Sequence, residues 1–232
     1  MSLPKLWRRG GSPAAVVASA AAVVLVAVVA LCAQAQQRPL SAQELARRVD
    51  RHYDSLHSLK AGFTESYNGL GISRSESGTL LLAKPGRMRW DYNSPPGKLF
   101  LLDGKYGWFY APGAPQVQRI PAKELDDLRS PLRFLLGHTD LEKEMAHLTV
   151  AAAANGEFVL SGQPKGQEKR ITRLALTVTA EGTITGIEVQ ETDGALTRFT
   201  FTDEQANVPM AADTFRFRAP AGVPVVDGLP PV

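Results

Sequence analysis

Arg87-Met88-Arg89-Trp90-Asp91-Tyr92 decides how this chain is read. Successive side chains of an extended segment point to opposite sides, so Met88, Trp90 and Tyr92 share one face and Arg87, Arg89 and Asp91 the other. The same period of two runs outward in both directions. Upstream, Ala61, Phe63, Glu65 and Tyr67 alternate with smaller or polar residues, and residues 76–83 form a second strand. Asn68-Gly69-Leu70-Gly71-Ile72-Ser73 lies between them as a loop. Downstream, Leu99 to Leu102, Asp103-Gly104 and Tyr106 to Tyr110 spell a hairpin, because Asp-Gly suits a tight turn. Val117 to Ile120 supplies the next strand. The pattern resumes at 147–153, 157–162, 169–179, 183–191 and 195–203, with Asn155-Gly156, Glu181-Gly182 and Asp193-Gly194 at hairpin spacing. A last strand is expected over Thr214 to Arg218. The sum is an antiparallel meander of ten or eleven strands with one apolar face and one wet face.

Two segments interrupt it. Ser41-Ala42-Gln43-Glu44 is a capping-box pattern, and Leu45, Val49, His52, Tyr53, Leu56 and Leu59 recur at helical spacing, so 42–58 reads as an amphipathic helix. Its other face carries Arg47, Arg48, Asp50, Arg51 and Asp54, a mixed-sign surface expected to be solvated. Within 122–147, Lys123 to Arg129, Pro131 to Leu136 and Asp140 to Met145 read as short helices, Pro131 fitting a first turn. A sheet of this size tends to curl toward a barrel. Helices that cover its mouth without filling it leave a ligand cavity; a filled core is the alternative.

The 232 residues begin with a basic stretch, then an unbroken run of Ala, Val and Leu with one Ser from Ala14 to Leu31, then Ala33-Gln34-Ala35. That order of parts is a secretory signal peptide over 1–35, cleaved after Ala35, which leaves a single domain over 36–232. The apolar run is near the minimum for a membrane span, so an uncleaved anchor is the alternative. The one cysteine, Cys32, sits where a lipoprotein would carry its lipid, but Leu31 precedes it where lipidation calls for a small residue. Loss of the leader leaves no cysteine for a disulfide or a thiol metal site. The charge follows the same boundary. Without Lys5, Arg8 and Arg9 of the leader, the 26 basic residues fall to 23, equal to the 23 acidic ones. The formal +3 therefore belongs to the leader, and nucleic acid is not an expected partner.

Catalytic patterns are missing from the sequence. There is no Gly-x-Ser-x-Gly elbow and no His-Glu-x-x-His. Glu144-x-x-His147 is half of a metal pattern without its second half, His52 and His57 point to different faces of one helix, His138 stands alone, and the adjacent carboxylates Asp126 and Asp127 point apart. The chain reads as a non-enzyme with neither metal nor cofactor.

Gly78-Thr79-Leu80-Leu81-Leu82-Ala83-Lys84-Pro85-Gly86-Arg87-Met88-Arg89-Trp90-Asp91-Tyr92 with Pro95, Asp103-Gly104-Lys105-Tyr106-Gly107-Trp108-Phe109-Tyr110-Ala111-Pro112 with Gln116-Val117, and Phe215-Arg216-Phe217-Arg218-Ala219-Pro220-Ala221-Gly222-Val223 together carry a resemblance. They resemble the LolA family of periplasmic outer-membrane lipoprotein carriers, in the same order from about Leu40 to Asp227. Ser130-Pro131-Leu132-Arg133-Phe134-Leu135-Leu136 resembles the family's short lid helix. The resemblance implies a mainly β protein: an incomplete antiparallel β-barrel with an N-terminal helix and a helical lid over a hydrophobic cavity. It implies a monomeric chaperone that takes acylated lipoproteins from an inner-membrane ATP-driven releasing complex and passes them to an outer-membrane receptor. The alternatives are a membrane-anchored receptor, LolB-like, or an envelope scaffold that senses lipoproteins. By position, Lys84 stands where the family's basic lid latch, usually Arg, bonds lid carbonyls. Lys offers three donors on a flexible stem where Arg offers a planar fork. Met88 stands at a position that faces the donor complex. Phe134, Leu135 and Leu136 fall at the lid-to-cavity contact, and Trp90 and Trp108 beside the cavity as parts of the barrel wall.

Overall fold

The computed structural model describes residues 40–123, 135 and 140–228. Helix α1, Ala42–Ser55, opens the described chain. Ser41 caps it, its hydroxyl accepting from the Glu44 N–H at 3.1 Å. The Glu44 carboxylate turns to Arg48 at 3.1 Å, so the Ser41 half of the capping box forms as expected while Glu44 pairs along the helix. The helix stops short of the expected residue 58. Leu59 satisfies both periods, and the sheet takes it: it lies 2% exposed in the series Leu59, Ala61, Phe63.

Twelve strands follow among the described residues: β1 Ser58–Gly69, β2 Ile72–Ala83, β3 Arg87–Ser94, β4 Pro96–Leu102, β5 Tyr106–Tyr110, β6 Val117–Pro121, β7 Met145–Ala152, β8 Phe158–Pro164, β9 Ile171–Val178, β10 Ile184–Glu191, β11 Leu196–Ala206 and β12 Val225–Asp227. They form one sheet in the order β12-β6-β5-β4-β3-β2-β1-β11-β10-β9-β8-β7. Neighbours pair antiparallel except β12, which lies parallel to β6. The ends of this order, β7 and β12, are not paired to each other, so the sheet is open, as expected of an incomplete barrel.

Three details differ from the sequence reading. The polar run after Gly69 belongs to β2, and the turn is Leu70-Gly71, both at positive φ, as a tight two-residue hairpin requires. The expected strand over Thr214 to Arg218 does not form. Phe215 and Phe217 alternate because the segment lies across the sheet: Phe217 stacks on Trp108 at 4.7 Å, Arg87 sits over Phe215 at 5.4 Å, and Arg89 donates to the Thr214 carbonyl at 3.0 Å. The final strand is instead Val225–Asp227, fixed by the forked pair of Arg119 and Asp227 at 2.7 and 3.0 Å. Of the short helices expected within 122–147, the third forms as α2, Leu141–Glu144, capped by Asp140. Lys123 to Arg129 and Pro131 to Leu136 fall outside the described residues, apart from Lys123 and Leu135.

Helix α1 packs along β7, β8 and α2. Its apolar side, Leu45, Ala46, Val49 and Tyr53, is buried. The expected solvated face is in part a docking face. Arg48 donates to the Ala180 carbonyl at 2.7 Å, Asp50 accepts from the Leu141 N–H at 3.2 Å, and Arg47 pairs with Glu142 at 2.8 Å.

Candidate functional site

Register assigns each side chain to one of the two faces of the sheet. One row joins Ala61, Leu80, Trp90, Phe100, Phe109 and Gln118 across β1 to β6. The row beside it joins Leu59, Leu82, Met88, Leu102, Gly107 and Ile120. On the far side of β1 the same face carries Phe201 opposite Phe63, and Phe199, Ile187, Leu176 and Leu160 in line with Glu65. This is the apolar interior. At its centre the Trp90 ring meets Phe63 at 4.5 Å and Phe199 at 5.6 Å, edge to face, with Phe201 at 6.3 Å. Edge-to-face pairs of this kind add about 0.5–1.5 kcal/mol each beyond their buried area.

Gly78 is what lets the aromatic centre close. It stands between Phe63 and Tyr92 in register, and their rings meet over it at 5.0 Å. A Cβ there would lie 2.0 Å from the Asp91 carbonyl oxygen and 2.9 Å from the Phe63 ring.

Toward the β1–β2 hairpin the interior turns polar. Glu65 and Glu76 face each other directly across the two strands. Lys98 is in contact with Glu76 and lies over the Tyr92 ring at 4.3 Å; the Tyr92 hydroxyl donates to Glu65 at 3.3 Å, and Arg74 lies 3.8 Å from Glu65. Glu65 is 9% exposed. Burial pushes its carboxyl up from the usual range, with Glu76 adding to the rise and Lys98, Arg74 and the Tyr92 hydroxyl opposing it. A carboxyl raised on folding binds its proton more tightly in the folded state. Folding stability therefore falls as pH rises from the ordinary glutamate range through the raised value. Glu65→Gln keeps an acceptor for Tyr92 and removes this slope. The variant gains stability over the parent at neutral pH, and the gain vanishes below pH ~4. Urea unfolding of both proteins across the acidic range checks it, and parallel curves would refute the assignment.

The site residues expected from the sequence separate on this scaffold. Trp90 is 1% exposed at the aromatic centre. Met88 is enclosed in the neighbouring row at 4% exposure. Trp108 lies in register with Leu101, Arg89 and Arg119, which puts it on the opposite face from Trp90. There its indole N–H donates to Asp103 Oδ2 at 2.7 Å beneath Phe217. Lys84 Nζ donates to the carbonyls of Tyr53 at 2.6 Å and Asp54 at 3.0 Å, so it ties the β2–β3 turn to the last turn of α1. A cation at a helix C-terminus meets unpaired carbonyls and the negative end of the helix dipole. Leu135 is buried at 5% exposure, while Phe134 and Leu136 lie outside the described residues. Sequence reasoning places Glu65 in the alternating strand without marking it. The signal is there: an acid at an inward position of a period-two run.

A second polar knot fixes α1. The Tyr53 hydroxyl accepts from the Ile184 N–H at 3.0 Å and donates to Glu204 at 3.2 Å, and His52 Nε2 meets the other Glu204 oxygen at 2.9 Å. Burial and the Glu204 carboxylate push the Tyr53 phenol well up. Among the described residues, two buried side-chain polar atoms lack a hydrogen-bond partner, Trp90 Nε1 and Gln118 Oε1, and both belong to the aromatic row.

An open antiparallel sheet with a helix packed on it and an aromatic, apolar interior defines a binding scaffold. The sequence matches the family described as outer membrane lipoprotein carrier protein LolA over residues 54–218, and the chain belongs to that family. It is 32% identical over 177 residues to an outer-membrane lipoprotein carrier protein of Nitrosospira multiformis, covering 75% of this chain and 84% of that one. The carrier of Dechloromonas aromatica is 32% identical over 189 residues, covering 78% and 88%. Among solved structures, an uncharacterized conserved protein from Thermus thermophilus shares the fold with a TM-score of 0.52 at 13% identity, over 81% of this chain and 99% of that one.

Proposed function

We propose that this chain is a periplasmic chaperone that binds the acyl chains of lipoproteins released from the inner membrane and carries them to the outer membrane. The reading rests on membership of the LolA family joined to an apolar, aromatic interior on an open sheet. It includes removal of residues 1–35, a working domain from residue 36, a donor complex in the inner membrane and a receptor in the outer one. No catalytic step is required of the carrier.

Energetics bound how it works. A buried methylene contributes about 0.8 kcal/mol, so two or three long chains sum to roughly 25–35 kcal/mol, beyond the ceiling of about 20 kcal/mol for non-covalent binding. Full burial would never release. The carrier holds its cargo by partial apolar burial, and an energised donor supplies extraction. Lys84 is the latch in this reading: its two bonds hold the end of α1 against the sheet and break when the interior opens.

The test is release of lipoprotein from spheroplasts. The purified periplasmic protein is expected to co-purify with acylated lipoprotein and to start at Gln36 by mass. No enrichment over an unrelated periplasmic protein would end the carrier reading, and a lipidated Cys32 would replace it with the anchored receptor.

A further inference from the structure

The Trp90 indole N–H is a buried donor without an acceptor among the described residues. Its ring lies among Phe63, Phe199 and Phe201, side chains that offer none. Buried N–H groups in folded proteins are nearly always paired, and an orphan asks for a reason. A lone water needs two to four polar partners, and the three rings packed on Trp90 add none to its own N–H. The fitting occupant brings one acceptor, no donor, and an apolar body on either side. An acyl ester has that composition: a carbonyl acceptor with no N–H or O–H, the hydrocarbon chain on one side and glyceryl carbons on the other. A free fatty acid would add a charge, and an amide an unmatched N–H.

We infer that Trp90 Nε1 donates to the ester carbonyl of a bound acyl chain, and so fixes the depth at which the chain's ester end sits on the aromatic row. This rests on the carrier reading above and adds to it the atom that recognises the ligand's linkage. The contact selects for linkage chemistry, where apolar burial alone responds only to chain length.

The experiment compares two diacylated lipopeptides of equal chain length, one ester-linked and one ether-linked, on the wild-type protein and on Trp90→Phe. A hydrogen bond of ordinary strength predicts about a fivefold preference of wild type for the ester. In Trp90→Phe the two lipopeptides bind equally. Equal affinities in wild type, or a preference that persists in Trp90→Phe, overturns the assignment. A second readout is independent of the variant's folding. With isotope-labelled indoles, the ester ligand moves the Trp90 Nε1–H resonance downfield, and the ether ligand does not. Trp108, already bonded to Asp103 on the opposite face, serves as the internal reference. A Trp90 resonance unmoved by a bound ester also overturns the assignment. Ester- and ether-linked phosphatidylglycerol identify the source of the carbonyl: preference for the lipopeptide ester alone assigns it to lipoproteins, and preference in both pairs assigns it to acyl esters generally. If no lipid binds wild type at all, the carrier reading falls and takes this inference with it. If ester and ether bind wild type equally well, this inference alone falls.

Discussion

Replacing Gly182 by alanine is expected to cost about 3 kcal/mol and lower the melting temperature by roughly 6–12 °C. Gly182 turns the β9–β10 hairpin at φ +106, a conformation that L side chains rarely adopt. The hairpin is also pressed on α1. A Cβ at 182 would lie 2.4 Å from the Arg48 carbonyl oxygen and 2.8 Å from the Val49 nitrogen, both backbone atoms that cannot swing aside. Gly194 provides the control. It turns the β10–β11 hairpin at φ +90 with nothing within 4 Å of a Cβ, so Gly194→Ala suffers backbone strain alone. Thermal unfolding of both variants separates the terms. Equal losses would mean that the contact with α1 contributes nothing.

The second large effect concerns hand-over. Lys84→Leu removes two charge-assisted bonds to the end of α1. Bonds to charged groups contribute about 1.5–3 kcal/mol each when buried. Lys84 is half-exposed, which brings the pair to about 2 kcal/mol in sum. If that pair resists opening, its loss multiplies the open population about thirtyfold, at 1.4 kcal/mol per factor of ten. The fold survives, because Tyr53, Glu204 and Ile184 still hold the helix. Lipoprotein transfer from loaded carrier to receptor-bearing membranes is the measurement, and a variant that transfers at the wild-type rate rejects the latch.

The strands were legible because period two is a local property. Met88, Trp90 and Tyr92 declare their shared side without reference to any partner, and Glu181-Gly182 and Asp193-Gly194 declare their turns. Which side another strand's residues take is not local. Trp90 and Trp108 read alike in sequence, yet the register of β3, β4 and β5 pairs Trp90 with Phe100 and Trp108 with Leu101, and that one-residue difference sends them to opposite faces. Phe215 and Phe217 imitate a strand for a related reason. Two aromatics at alternate positions suit a segment lying across a sheet as well as one paired into it, and only the hydrogen bonds distinguish the two. β12 has three residues, too few to show a period. Glu65 took its meaning from Phe63 before it and Glu76 across from it. Lys84 is the reverse case: nothing in its neighbourhood marks it as a tie to α1, and the resemblance alone singled it out.

The two unjoined edges have a consequence for capacity. A closed barrel has its radius set by strand number and stagger, so its bore is fixed once the hydrogen bonds are made. This sheet carries β7 at one end and β12 at the other without a bond between them. Its curvature can tighten or relax by small changes of twist spread over eleven pairings, and none of them has to break. In the carrier reading the container is sprung rather than gauged, and a larger cargo widens it without breaking a strand pairing.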